Sequence, residues 1–125
     1  LNSNYGFEVD LINLKENSKP DLSQYDNIII GSGIRIGRWY GKANKFLKND
    51  FKDKKVAIFL SCGTAGVPET YQEAITKYID NKLSKYPQVK PVSTETFGGR
   101  YSNFDYTDPE KVKAWALELG KKLSA

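Results

Sequence analysis

A run of isoleucines that leads directly into a glycine-rich stretch constrains the fold of this chain more than any other feature. Residues 28–30 are all isoleucine, so we expect both faces of this segment to be buried, as in an inner strand of a parallel sheet. Glycines follow at 31, 33 and 37, and they allow the backbone to turn sharply and to approach another group closely. Ligands of open α/β sheets bind at the carboxyl ends of such strands, so this loop is the first place to expect a cofactor.

Predicted strands and helices alternate along the chain. Apolar residues alternate over residues 7–14, which predicts a strand exposed on one face, and residues 26–30, 55–61 and 89–97 read as further strands. Helices are predicted over residues 41–51 and 68–85, with apolar residues at helical spacing. This alternation indicates an α/β domain with a mostly parallel sheet and helices on both faces.

The last predicted helix begins at a capping-box pattern, Thr107-Asp-Pro-Glu110, which satisfies the first backbone N–H groups of a helix. Its expected inner face consists of apolar residues at helical spacing: Val112, Trp115, Ala116, Leu119 and Leu123.

Composition narrows the classes of function. The 125 residues are enough for one domain, and the net charge of +4 comes from lysines spread along the chain, which argues against a nucleic-acid footprint. The chain has no histidine and one cysteine, so histidine-based nucleophile systems and the usual zinc sites are excluded. The single Cys62 fits a reducing compartment, which predicts a cytoplasmic protein, and no apolar run approaches membrane-spanning length.

The first glycine-rich loop, residues 31–37, permits three interpretations. Its glycine spacing is one residue longer than in the dinucleotide motif G-x-G-x-x-G, the glycines could serve only a turn, or the loop could hold a flavin or a similar planar cofactor. Trp39 and Tyr40 would offer flat apolar faces to a ring system, or they would pack on the following helix. Arg35 and Arg38 would meet a phosphate or an acidic partner, or would be solvated.

A second loop of small residues, 61–66, leaves the next buried strand. Backbone N–H groups in such a loop can donate to a heteroaromatic ring, whereas Cys62 reads as a packed residue because no base lies nearby in the sequence. The later Gly98-Gly99-Arg100 segment would either close over the same site or only turn the chain.

Several of these segments together resemble flavodoxin-like domains. They are Tyr25-Asp26, the Ile-Ile-Ile-Gly-Ser strand exit, Ile34-Arg35-x-Gly37, the helix positions 43, 46 and 47, and the strand 55–61. The closest subgroup is the one that includes menaquinone-dependent protoporphyrinogen oxidase. The resemblance implies a three-layer α/β/α fold with a five-stranded parallel sheet in the order 2-1-3-4-5 and non-covalent binding of FMN at the strand carboxyl ends.

The resemblance also implies which residues contact the flavin. One side would be formed by Ser32, Gly33, Ile34, Arg35, Gly37 and Trp39. The other side would be formed by Ser61, Cys62, Gly63 and Thr64, with Gly98 and Gly99 as a third contact. Catalytic residues stay unassigned, because the chemistry would belong to the flavin, and no metal site is expected, since the chain has no histidine and one cysteine.

The chain departs from this family pattern at its start. Members begin with a strand and a loop rich in small hydroxyl residues that holds the FMN phosphate, whereas residues 2–6 read as the end of the first helix. We therefore expect a single domain over residues 1–125 that lacks the first strand and holds FMN weakly or not at all. A partner chain could fill the gap, which would give a homodimer by strand exchange.

The first functional hypothesis is thus an FMN-binding redox protein that passes electrons to a partner protein or to a small-molecule acceptor. One alternative is a flavin-dependent oxidase of the protoporphyrinogen oxidase type. Another is a cofactor-free scaffold or interaction domain that has kept the fold and lost the site.

Overall fold

The computed structural model describes residues 10–14, 16–17, 20–35, 38–49, 51, 54–62, 68–98, 100–101, 104–105 and 109–124. The strands are β1 (Asn27–Arg35), β2 (Arg38–Trp39), β3 (Lys55–Ser61), β4 (Ser93–Phe97), β5 (Arg100–Tyr101) and β6 (Phe104–Asp105). The helices are α1 (Gly41–Phe46), α2 (Pro68–Ile75), α3 (Asn81–Leu83) and α4 (Pro109–Ser124). A π-helical segment, Thr76–Asp80, joins α2 to α3 without a break.

The main sheet has the strand order β2-β1-β3-β4. β3 lies parallel to both β1 and β4, whereas β2 folds back antiparallel on the end of β1. Because β1, β3 and β4 are parallel, their carboxyl ends meet at one edge of the sheet. There Gly33, Ser61 and Phe97 lie side by side in register.

Helices pack on both faces of the sheet. The larger core joins alternate residues of β1 and β3 to α1 and the π segment, and its buried members include Ile28, Ile30, Val56, Ile58, Leu60, Phe46 and Ile79. On the opposite face, Ala57 packs against Leu119 and Leu123 of α4. The fold is therefore the predicted three-layer α/β/α arrangement with a mostly parallel sheet.

The expectation that residues 28–30 are buried on both faces is wrong for one residue. Ile28 and Ile30 are buried, but Ile29 is 37% exposed. Ile29 pairs with Ala57, and α4 packs on Ala57 without covering the neighbouring strand. The outer strand β1 is thus half-solvated on that face along the part of the chain that the structure describes.

Several predicted boundaries shift, while β3 has its predicted bounds. β1 continues to Arg35, so the expected loop at residues 31–35 is strand, because these residues pair with β3 and β2. The helix predicted over 41–51 ends at Phe46, where the Asn49 side-chain amide donates to the Phe46 carbonyl at 2.8 Å. β4 begins at Ser93 rather than at residue 89.

The later segments also differ in detail from prediction. The helix predicted over 68–85 is α2, the π segment and α3 in succession. The segment after Gly98 forms a small antiparallel hairpin, β5 and β6. In α4, Leu119 and Leu123 are buried as expected, but Val112 is exposed.

The strand predicted over residues 7–14 is wrong for its second half. Residues 10–13 form no strand, Leu14 lies in a turn, and Leu11 is 97% exposed; residues 7–9 lie outside the described chain. Of the five strands in the implied order 2-1-3-4-5, the described sheet therefore contains the last three, which are β1, β3 and β4. Among the described residues, positions 27–33 of β1 pair with β3 on one side and with no strand on the other.

A carboxylate on β4 connects helices from the two faces of the sheet. The hydroxyl of Tyr71 in α2 donates to Glu95 Oε1, and Lys111 Nζ in α4 lies 3.7 Å from the same oxygen. The Lys111 ammonium also lies over the Tyr71 ring, 3.9 Å from its centroid. We call these residues, Tyr71, Glu95 and Lys111, the edge cluster.

Candidate functional site

The carboxyl edge of the sheet carries a hairpin at the end of β1. Ile34 pairs with Trp39 and Arg35 pairs with Arg38, so the first glycine-rich segment folds back on itself instead of forming an open loop. Residues 36 and 37, which connect the two strands, lie outside the described chain, and so does the side chain of Arg35. The hairpin brings the residues that follow Trp39 back to the carboxyl end of β1.

The hydroxyl of Ser32 holds this hairpin against β1. Ser32 is buried, and its Oγ accepts the backbone N–H of Tyr40 at 3.2 Å and donates to the Gly33 carbonyl at 2.8 Å. A buried hydroxyl with both a donor and an acceptor partner is satisfied. Ser32 therefore fixes where the chain leaves the hairpin and enters α1.

Among the side chains that the structure describes at this edge, Tyr40 is an aromatic one that faces solvent. It is 55% exposed, and its ring lies over Gly33 at a distance where a β-carbon would meet Tyr40 Cζ and Oη at 2.9 Å. The missing side chain at position 33 thus lets the Tyr40 ring lie close against the strand.

Trp39 points the other way and is built into the core. It is 6% exposed, and its indole Nε1–H donates to the carbonyl of Tyr78 in the π segment at 2.8 Å. Trp39 ends β2, whereas Tyr40 is the residue directly before α1, and its side chain is exposed. The sequence permits Trp39 either to offer a face to a ring system or to pack on a helix, and the structure shows it packed in the core beside the helical segments.

The ends of β3 and β4 complete the described part of this edge. Ser61 is exposed beside Gly33, whereas Cys62 is buried next to Ala74, Tyr78 and Ile34. The Cys62 backbone N–H donates to the Phe97 carbonyl at 2.8 Å, and Gly98 is buried directly after β4. Cys62 therefore fills the core at the strand end, in line with its interpretation as a packed residue.

A comparison with protein-family models identifies the family. A model described as Flavodoxin domain matches residues 1–124. The chain belongs to the flavodoxin domain family. Comparisons with curated proteins and with solved structures gave no match.

The structure brings some of the predicted flavin-contact residues together at one edge of the sheet. Ser32, Gly33, Ile34, Ser61, Cys62 and Gly98 come together at the carboxyl edge of β1, β3 and β4. Gly37, Gly63, Thr64 and Gly99 lie outside the described chain. The site assignment for these residues stays a prediction.

The described residues fit a planar ring better than a metal ion. An exposed aromatic ring over a glycine, next to the exposed Ser61, provides a flat contact surface with a hydroxyl at its margin. In the described part of the chain, no three His, Cys, Asp or Glu side chains are placed to hold a metal. No helix among the same residues is long and apolar enough to cross a membrane.

The predicted site set omits Tyr40, although the sequence contains a signal for it. That signal is the pair of adjacent aromatic residues, Trp39 and Tyr40, either of which could offer a flat surface to a ring. Which of the two is exposed depends on the hairpin that pairs residues 38–39 with the end of β1, and the sequence does not show this pairing.

Proposed function

We propose that this flavodoxin-family chain binds FMN and carries electrons, and that Tyr40 supports the flavin ring. The observation that carries the proposal is the exposed Tyr40 ring above Gly33 at the carboxyl edge of the parallel strands. Ligands of open α/β sheets bind at this edge, and ring stacking on an exposed aromatic residue needs no further change of the protein.

Each described residue has a distinct part in this proposal. Tyr40 would stack on the ring, Ser61 would present its hydroxyl at the ring margin, and Ser32 would position Tyr40 through the backbone hydrogen bond. FMN, when bound, supplies the capacity to accept and release electrons. The protein contributes orientation and partial burial of the ring.

A carrier is favoured over an oxidase by the side chains at the described edge. The described polar side chains beside Tyr40 and Gly33 include those of Ser32 and Ser61, and the Ser32 hydroxyl is already engaged with Gly33 and Tyr40. An oxidase requires a group that removes a proton from its substrate, whereas an electron carrier does not. The protoporphyrinogen oxidase alternative would be favoured instead by oxidation of protoporphyrinogen by the FMN-loaded chain.

The binding half of the proposal is tested by titrating FMN and following the quenching of its fluorescence. Tyr40→Ala removes the stacking surface and should weaken binding by about tenfold or more, since an aromatic–ring stack is worth about 1–3 kcal/mol. Tyr40→Phe keeps the ring and should bind like the unchanged chain. Gly41→Ala, at a neighbouring position with nothing within 4 Å of the added carbon, is the matched control.

The electron-transfer half is tested on the FMN-loaded chain. The flavin is reduced by illumination without oxygen, with EDTA as the electron donor that is oxidised, and is then mixed with ferricyanide, and the return of its visible absorbance is measured. Recovery without consumption of any other substrate supports a carrier. Absence of FMN quenching by the unchanged chain would overturn the proposal and favour a cofactor-free scaffold, and equal affinities of Tyr40→Ala and Tyr40→Phe would remove Tyr40 from the site.

A further inference from the structure

A cavity of about 580 Å³ lies between α1 and the helical segment that runs through the π turn, and its lining is strongly basic. Four cationic residues line it: Arg38, Lys77, Lys82 and Lys85. The side-chain amides of Asn44 and Asn81 line it as well. We call this feature the basic cleft.

The residues that line the basic cleft carry no balancing negative charge. No Asp or Glu is among its lining residues, and neither ion pair found in the described part of the chain involves one of the four cations. The Lys82 ammonium donates to Asn44 Oδ1 at 2.8 Å, a neutral partner, and the Lys77 ammonium lies 5.3 Å from the Tyr78 ring centroid. Burial and the nearby charges of Lys85 and Arg38 lower the pKa of Lys82. A bound anion would reverse the effect of those two charges.

The π segment contributes to the placement of these side chains. The backbone N–H of Asn81 donates to the Thr76 carbonyl, a bond that spans one residue more than in an α-helix. An α-helix has about 3.6 residues per turn, so each residue advances by about 100° around the helix axis. One extra residue therefore shifts the angular position of the later side chains around that axis by about 100°. The π segment therefore determines the orientation of Lys82 and Lys85 relative to Lys77. Single-turn π segments occur frequently at functional sites.

The hairpin at the end of β1 supplies the remaining cation. Trp39 donates its indole N–H to the Tyr78 carbonyl, and this bond ties the hairpin to the π segment. Arg38, directly before Trp39, thereby joins the lysines of a helix that lies about 40 residues further along the chain. Tyr40 is not among the residues that line the basic cleft, and its ring lies over Gly33, so the basic cleft and the proposed flavin surface use different side chains.

We propose that the basic cleft binds a small polyanion that carries two or more phosphate groups. The Arg38 guanidinium can hold one phosphate with paired N–H donors, and the lysines can neutralise a second as point charges. Asn44 on α1 and Asn81 on the facing helical segment add neutral amide donors. A concave site of this volume suits a small molecule, whereas a macromolecular partner usually meets a flatter and larger surface.

Tripolyphosphate is the probe for this proposal, and NMR of the two tryptophan indole N–H groups locates its binding. The Trp39 indole lies at the basic cleft, whereas the Trp115 indole donates to Ser93 Oγ on the opposite face of the sheet. Addition of tripolyphosphate at physiological salt should shift the Trp39 resonance and leave the Trp115 resonance in place. The Trp115→Phe variant assigns the two resonances.

Two charge-matched double variants test whether binding is specific to the basic cleft. Lys77→Gln with Lys85→Gln removes two cations of the cleft, and Lys90→Gln with Lys113→Gln removes two exposed lysines elsewhere. We expect the first pair to weaken tripolyphosphate binding by about tenfold or more, and the second to change it by less than about twofold. Circular dichroism checks that both variants remain folded.

Three outcomes would overturn the proposal. They are no shift of the Trp39 indole, equal weakening by the two double variants, and tighter binding of a hexaglutamate peptide than of tripolyphosphate, which would indicate an acidic protein partner. Tripolyphosphate binding that persists in Tyr40→Ala would separate this site from the flavin surface. Failure of FMN binding would leave this test intact, because none of its measurements requires flavin.

Discussion

The ring of Phe59 lies against Gly31 on the neighbouring strand, in the space that a side chain at position 31 would occupy. A β-carbon built on Gly31 would lie 2.3 Å from Phe59 Cζ. Phe59 is itself held by two aromatic neighbours, with ring centroids 5.9 Å away at Trp115 and 6.5 Å away at Phe97. The ring therefore cannot move aside without disturbing the packing of α4.

Gly31→Ala should destabilise the protein by about 1–3 kcal/mol, because overpacking a held aromatic ring forces a shift of the strand or of the ring. The free energy of unfolding in urea measures the loss. Gly41→Ala is the control, since an added carbon there meets nothing within 4 Å. A second change, Phe59→Leu, should recover part of the loss in Gly31→Ala. Equal stability of the two alanine variants would contradict this account.

Gly33→Ala should have a different effect, although an aromatic ring also lies over that glycine. The Tyr40 ring is exposed, so it can swing away from an added carbon, and the change in unfolding free energy should stay within about 0.5 kcal/mol. The displaced ring should, however, weaken FMN binding as Tyr40→Ala does. An unchanged FMN titration in Gly33→Ala would show that the position of the Tyr40 ring does not matter for the flavin.

Thr96→Val should stabilise the protein. Thr96 is fully buried, and its Oγ1 has no hydrogen-bond partner in the described structure. Replacing an unpaired buried hydroxyl by a methyl group of similar shape should add about 1 kcal/mol to the unfolding free energy. Thr94→Val, at a half-buried position on the same strand, serves as the comparison and should change it little. A loss of stability in Thr96→Val would indicate that the hydroxyl has a partner.

Stability should fall as the pH rises above about 10, partly because of Tyr71. Burial, followed by the hydrogen bond and the charge of Glu95, raises the pKa of Tyr71 well above its usual range. The unfolded chain then loses the phenolic proton at a lower pH than the folded chain does. The stabilisation is therefore fully present below the unfolded pKa and is lost as the pH rises towards the folded value.

Tyr71→Phe should consequently show a shallower loss of unfolding free energy between about pH 9 and pH 11 than the unchanged chain. Some slope should remain, because the hydrogen bond to Asp10 also raises the pKa of Tyr25, which the variant retains. Urea unfolding at several pH values measures both slopes. Identical slopes would exclude Tyr71 as a contributor.

The sequence predicts the parallel strands better than the segments that surround the candidate site. β3 has its predicted bounds because its apolar run is long enough to indicate burial on both faces. β1 extends past its predicted end because Gly31, Ser32 and Gly33 read as a turn, whereas pairing with β3 makes them strand. Tertiary pairing has overridden local propensity there.

The basic cleft could not be predicted from the sequence for a similar reason. Its arginine and its lysines are far apart along the chain, and the bond from Trp39 to Tyr78, together with packing in the shared core, brings them together. The π segment further shifts the helical periodicity that a sequence pattern assumes. Read singly, each of these lysines looks like an ordinary solvated side chain.

Glu95 covers a backbone donor on the free edge of the described sheet. β4 is an outer strand of the described sheet, and such a strand offers unpaired backbone groups that invite another chain to add itself. The Thr96 N–H is one such group, and Glu95 Oε1 already accepts it at 2.9 Å. An incoming strand would have to displace a carboxylate that is also held by Tyr71 and Lys111. The edge cluster thus makes this backbone donor of β4 unavailable for pairing with a further strand.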